Sequence, residues 1–224
     1  MRFPLSFSKI NIFMLCPFRF EQQYVAKTVK DDDNEFTLYG ARVHKDLEVY
    51  GNTGDVDDLG LESRKFKPLV DKVVNLPGDK HFEFQLALDN DANPTSWFGA
   101  DVWLRAIADV LVIHEDTALC VDWKTGKPKN NPLQLSLLAA VIFRHFPQIK
   151  KVVSGYVWLH HNSSNKETYI RSEFKPVWSQ LMGIFNDVQE AIDLGVFPTR
   201  VSYMCKYCPV SKTCPASHGA WTRR

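Results

Sequence analysis

The sequence predicts a mixed α/β (α+β) fold with one core: helices, three strands, a helix, two strands, a last helix and a cysteine-rich tail. Two observations carry this. Apolar residues recur at helical spacing through Val74, alternate with a period of two from His81, and return to helical spacing after Pro132. The 224 residues, 45% hydrophobic and 24% charged, have an ordinary globular balance and suffice for one well-packed domain over 1–224.

Taken in order, Ser6 and Ser8 offer caps for a short helix carrying Ile10, Phe13 and Met14. Pro17 starts a second helix to Ala26, because proline suits a first helical turn. The acidic run Asp31-Asp32-Asp33-Asn34-Glu35 reads as a solvated loop, followed by helices over Thr37–Tyr50 and Glu62–Val74 and a stop at Pro77-Gly78. His81–Leu88 alternates Phe82, Phe84, Leu86 and Leu88 against Glu83, Gln85 and Ala87, the pattern of a half-buried strand. Val102–His114 and Ala118–Lys124 form a hairpin across Glu115-Asp116. A helix over Leu133–Phe146 follows, then strands over Lys151–His161 and Thr168–Phe174 around the polar turn at Asn162–Asn165, and a helix over Pro176–Leu194.

Lys+Arg 27 against Asp+Glu 26 gives a net charge of +1, which excludes a uniformly basic nucleic-acid coat but leaves room for a local basic groove. No apolar run reaches the length of a membrane span, and MRFPLSFSKINIFMLC lacks a small-residue cleavage site, so a cytoplasmic protein with no membrane partner is expected. Five cysteines, an odd number, argue against a disulfide framework.

The chemistry concentrates in the hairpin. Asp109 interrupts an apolar strand, where an unpaired carboxylate is costly. The antiparallel return can bring Asp122 beside it, and Asp122 and Lys124, two apart in a strand, share a face. Two converging carboxylates call for a cation, and hard oxygen ligands suit Mg²⁺ or Mn²⁺. Lys124 can position a water and stabilise charge on a phosphate. The same residues also allow a salt-bridged hairpin, with Asp122 paired to Lys124 or Lys127.

This arrangement resembles the RecB-like branch of the PD-(D/E)XK nucleases, whose signature is an Asp strand, a turn, a (D/E)-x-K strand and a helix carrying Gln. The resemblance implies a restriction-endonuclease-like central sheet flanked by helices. It makes Asp109 and Asp122 the two acids, Lys124 the lysine and Gln134 the helix glutamine. It assigns His44, in Gly40-Ala41-Arg42-Val43-His44, as a further metal ligand and lets Trp123 lend its backbone carbonyl. Two positions depart from the family pattern: Leu138 stands where Tyr is frequent, and Ala106 where Gly is frequent. Glu83 is a second-tier acid, although a cross-strand salt bridge would also account for it.

Cys205, Cys208 and Cys214 form C-x₂-C-x₅-C, three soft ligands within ten residues. Cys16 could supply a fourth; His218 could do so instead for zinc. The resemblance extends to iron–sulfur members of the branch, including the AddB nuclease domain and the CRISPR-adaptation nucleases. It implies a [4Fe–4S] cluster on Cys16, Cys205, Cys208 and Cys214, joining segments 1–26 and 195–224 into a cap, with a structural role. Cys120, inside an apolar strand, reads as a core thiol.

Arg19, Arg42, Arg105, Lys127, Lys129 and Arg144 are candidate phosphate contacts, and Phe18, Trp97 and Trp123 candidate stacking residues. The favoured function is a Mg/Mn-dependent DNA exonuclease acting on ends or single strands in phage or prokaryotic recombination, repair or CRISPR adaptation. The alternative is a non-catalytic DNA-binding or scaffold module. The chain has no helicase phosphate loop, so strand separation would need a helicase or recombinase partner, and a homo-oligomer is plausible.

Overall fold

The computed structural model describes residues 2–30 and 34–216, so the predicted loop residues Asp31, Asp32 and Asp33 and the zinc alternative His218 lie outside the described residues. In chain order the elements are α1 (Phe7–Leu15), α2 (Pro17–Phe20), α3 (Glu35–Thr53), α4 (Lys67–Val74), β1 (Asp79–Asp89), β2 (Pro94–Thr95) and β3 (Val102–His114). They continue with β4 (Thr117–Lys124), α5 (Pro132–His145), β5 (Lys151–Trp158), β6 (Ser163–Ile170) and α6 (Lys175–Leu194). The chain divides into two compact units, one of residues 34–181 and one of residues 1–33 with 182–224. No helix among the described residues is long and apolar enough to cross a membrane.

In the unit of residues 34–181, a mixed sheet runs in the order β2-β1-β3-β4-β5-β6. Its pairs are antiparallel except β4 with β5, and α5 makes the long crossover that a parallel pair requires. Alternation sends Val110, Val112, Val121 and Trp123 to one face, against Val43, Leu47 and Tyr50 of α3 and Val70 and Val73 of α4. The opposite face meets α5, where Leu135 packs on Tyr156 and Trp158 of β5. Helix α5 is buried continuously from Leu135 to Phe143, as its near-total apolar composition requires. Gly51 lets α3 lie against β1, because a Cβ there would come within 2.3 Å of the Phe82 ring.

Several elements differ from the sequence expectation for identifiable reasons. The helix predicted from Glu62 starts at Lys67, after a 3₁₀ turn over Arg64–Phe66, since Pro68 belongs in a first helical turn. The helix predicted over Pro17–Ala26 is α-helical only to Phe20 and becomes a π turn over Glu21–Val25. The last strand lies at Ser163–Ile170, not at Thr168–Phe174: Asn162 takes a left-handed φ of 44° and reverses the chain earlier. Polar Ser163, Ser164 and Asn165 are then accommodated because β6 ends the sheet. The alternation in β1 also fails, since Leu86, Ala87 and Leu88 are all buried.

In the unit of residues 1–33 and 182–224, Ser6 caps α1 by accepting the Lys9 N–H, and Phe13 and Phe20 pack edge to face at 5.4 Å. The Phe18 N–H donates to the Pro198 carbonyl, which ties the two terminal segments together within that unit.

Candidate active site

The hairpin β3–β4 places the site. Its ladder pairs His114 with Thr117 down to Val110 with Val121. One step further Asp109 and Asp122 face each other as the strands part. There the Asp109 carboxylate replaces a ladder acceptor: the Trp123 N–H donates to Asp109 Oδ2 at 2.7 Å. His44, from α3, fills the same opening. Its Nε2 lies 2.9 Å from the Trp123 carbonyl oxygen, and its Nδ1 lies 3.4 Å from Asp109 Oδ2 and 3.6 Å from Glu83 Oε1.

Glu83 reaches this group through an irregular backbone. Its φ is +49°, within the left-handed region that side chains disfavour, although both neighbours keep their strand pairing with β3. Strain of this kind, of order 1–3 kcal/mol, persists where surrounding structure holds it. Sequence alternation identified Glu83 as a candidate acid but not this backbone state.

His44, Glu83 and Asp109 are the one group of three among the described residues whose potential ligand atoms lie within 4.8 Å of one another. Two carboxylate oxygens and an imidazole nitrogen fit a hard divalent cation such as Mg²⁺ or Mn²⁺. The Trp123 carbonyl, by accepting from Nε2, selects the tautomer that leaves Nδ1 as the ligand atom. The group already demands positive charge. Burial alone would lower the His44 pKa, but its hydrogen bonds to Asp109 and then Glu83 raise it to about 10.

Asp122 belongs to an adjoining group rather than to that trio. It is 4% exposed, its Oδ2 lies 2.5 Å from Lys124 Nζ, and its Oδ1 accepts from Gln134 Nε2 at 2.5 Å. Desolvation, then the charge of Asp109, pushes the Asp122 carboxyl up to about 7, against the pull of Lys124. The ion pair that the sequence left as an alternative thus coexists with the gathered acids. Tyr156, which sequence reasoning passed over, donates to Gln134 Oε1 at 3.1 Å. Its signal lies only in the parallel register that sets Asp122 opposite Tyr156.

The candidate substrate contacts separate. Lys127 and Lys129 are exposed in the segment after β4. Arg42 pairs with Glu62 at 3.0 Å and lies over the Tyr39 ring. Arg105 donates to the Trp97 carbonyl at 2.9 Å and stacks on that ring, and Arg144 stacks on Trp178. Trp123 is 2% exposed and part of the core, which corrects its expectation as a stacking residue.

Within the other unit, one cavity is lined by Cys16, Cys205, Cys208 and Cys214 together with Arg19 and Arg200. None of the five cysteines forms a disulfide, and Cys120 is buried. Burial raises the Cys208 thiol pKa, while the Val210 backbone and Arg19 lower it. Backbone N–H groups point at two sulfurs, from Arg200 to Cys16 Sγ at 3.4 Å and from Ser202 to Cys205 Sγ at 3.3 Å. Among the described residues no three of these sulfurs lie within 4.8 Å of one another.

Comparisons with known proteins address the fold and the family. The chain is similar over 96% of its length to 86% of the crystal structure of SSO0001, at 15% identity and a TM-score of 0.47. It is also similar over 99% of its length to 89% of a protein from Eubacterium rectale provisionally named an exonuclease, at 10% identity and a TM-score of 0.52. The latter likeness shows a shared fold. Among curated proteins none matches. The family model of the PD-(D/E)XK nuclease superfamily matches residues 4–215, nearly the whole chain. The chain belongs to the PD-(D/E)XK nuclease superfamily.

Proposed function

We propose that this protein is a Mg²⁺- or Mn²⁺-dependent deoxyribonuclease of the RecB-like branch, acting as an exonuclease on DNA ends or single strands. The observation that carries this reading is the placement of the His44, Glu83 and Asp109 ligand atoms beside the Asp122–Lys124 pair. The name of the Eubacterium rectale protein agrees with it. His44 Nδ1, Glu83 Oε1 and Asp109 Oδ2 would hold the metal, with the Trp123 carbonyl orienting the His44 ring from Nε2 and Asp122 adding negative charge beside the trio. When bound, the metal supplies Lewis acidity to the attacking water and to charge building on the phosphate.

The chain's own groups do the rest. Lys124, held by Asp122, presents an ammonium to the water and to the phosphate oxygens. Gln134 occupies the second oxygen of Asp122 and restrains the carboxylate. Lys127 and Lys129, exposed just beyond Lys124, are placed to follow the DNA backbone.

The cysteine cavity is the proposed seat of a [4Fe–4S] cluster on Cys16, Cys205, Cys208 and Cys214, with segments 1–26 and 195–224 as the cap it stabilises. Backbone N–H donors favour thiolates, and a single zinc, with Zn–S bonds of about 2.3 Å, would need the sulfurs roughly 3.8 Å apart.

Incubating the protein with end-labelled single- and double-stranded DNA in Mg²⁺, Mn²⁺ or EDTA tests the activity. Labels at the 5′ or 3′ end, with product lengths over time, give polarity and separate exonuclease from endonuclease. Absence of cleavage with every metal, together with Asp122→Ala binding DNA as the wild type does, would leave only the non-catalytic DNA-binding reading.

A further inference from the structure

We infer that Tyr156 is a positioning residue of this site: its hydroxyl fixes the Gln134 amide so that Nε2 holds Asp122, and its ring supports the Lys124 ammonium. The inference rests on the nuclease reading for its consequence in catalysis, but its geometry stands independently.

The parallel register of β4 and β5 sets Tyr156 opposite Asp122. Tyr156 is 1% exposed, and its single hydroxyl proton is shared between the Asn131 carbonyl at 2.8 Å and Gln134 Oε1 at 3.1 Å. Gln134 in turn donates from Nε2 to Asp122 Oδ1 at 2.5 Å. With Oδ2 turned to the Lys124 ammonium, Oδ1 meets Gln134 as an acceptor, so the amide nitrogen faces it and Oε1 turns away. The Tyr156 hydroxyl is the donor that meets Oε1 there, and it makes that orientation the satisfied one. Burial, with the nearby Asp122 charge, pushes the phenol pKa above its ordinary range, so the proton stays on the hydroxyl.

Removing the hydroxyl takes away the proton that Asn131 O and the half-buried Gln134 Oε1 share, and frees the amide to rotate away from Asp122. The ring has a separate part. Lys124 Nζ lies 5.4 Å from its centroid, within cation–π range, while the same ammonium pairs with Asp122. A tyrosine that merely filled the core would be replaceable by phenylalanine without effect on the site.

Four variants separate these roles: Tyr156→Phe, Tyr156→Leu, Gln134→Ala and the double variant Tyr156→Phe/Gln134→Ala. A readout independent of catalysis is the side-chain ¹⁵N–¹H₂ signal of Gln134, assigned as the one missing in Gln134→Ala. In Tyr156→Phe that signal is expected to move toward the position of a free amide and to exchange faster. On end-labelled DNA with Mn²⁺, kcat should fall about tenfold with KM unchanged, the scale of one hydrogen bond. Tyr156→Leu, which also removes the ring, should lose more. In the Gln134→Ala background, Tyr156→Phe should add less than a twofold loss. An unmoved Gln134 signal in folded Tyr156→Phe, or the same tenfold loss in both backgrounds, overturns the inference. A wild-type protein that cleaves no DNA would instead remove the nuclease reading, and the amide signal would still decide the positioning.

Discussion

Asp109 accepts the backbone N–H of Trp123 at 2.7 Å at the step where the hairpin ladder ends. One carboxylate thus serves two purposes, completing the strand pairing and facing His44 at 3.4 Å. Asparagine can still accept the N–H but carries no charge. Asp109→Asn is therefore expected to melt within a few degrees of the wild type, yet to lose at least about 100-fold in cleavage and most Mn²⁺ binding. Asp109→Ala should lose stability as well, by about 1–3 kcal/mol, because it leaves a buried N–H without its acceptor. Equal melting of the two variants would show that the carboxylate has no part in holding the strands.

Glu83 holds a φ of +49° to reach the same site. Glycine adopts that conformation freely, whereas alanine keeps the penalty. Glu83→Gly should be more stable than Glu83→Ala by about 1 kcal/mol in denaturant titrations. Both should bind Mn²⁺ at least about tenfold more weakly than the wild type. If calorimetry gives unchanged Mn²⁺ affinity, Glu83 is not a ligand.

The pH dependence of the metal-free protein has a defined sign. His44, raised to about 10 from 6.5, contributes stability that is complete below the unfolded value and lost as pH rises toward 10. Asp122, raised to about 7 from 3.8, contributes in the same direction, with its loss complete above 7. In EDTA these two groups should lower the melting temperature between about pH 4 and pH 10. Mn²⁺ replaces the protons, so its stabilising shift should grow across the same interval. A melting temperature in EDTA with the same pH slope in His44→Ala as in wild type would contradict the assignment.

Lys124 stands 2.5 Å from Asp122 Oδ2 and is half-buried. Lys124→Ala is expected to reduce kcat by roughly 10²–10³. DNA binding in Ca²⁺, measured by filter retention, should change by less than about threefold, as expected if the exposed Lys127 and Lys129 carry the phosphate contacts. A large loss of binding with unchanged kcat would make Lys124 a substrate anchor instead.

On the proposed cluster reading the purified protein should be brown and hold iron, and Cys208→Ala should abolish both and lower the melting temperature, because cluster affinity would be folding free energy for the segments it joins. Cys120→Ala should retain both, since Cys120 is a buried thiol of the sheet. Iron content and melting that survive Cys208→Ala would remove the cluster reading, and stoichiometric zinc would establish the alternative.

Much of this was legible in the chain itself. The antiparallel hairpin that gathers Asp109, Asp122 and Lys124 follows from alternation and a polar turn, both local properties of the sequence. The resemblance carried by the Gly40–His44 spacing and by Gln134 placed two helix residues beside that hairpin, and His44 and Gln134 do meet it. Cys120 is buried as expected, and the three C-terminal cysteines share a cavity with Cys16.

What the sequence determined by itself is therefore the order of elements and the chemistry of the hairpin, because strand periodicity and turn polarity act between near neighbours. Tertiary structure decided which acid stands with which partner. Glu83 joins His44 and Asp109 through a backbone irregularity, while Asp122 turns toward Lys124 and Gln134. It also brought Tyr156 to Asp122 across a parallel pair, joined through a helix of its own. Such pairings depend on register between distant strands, which burial of both sheet faces fixes and which local pattern does not encode.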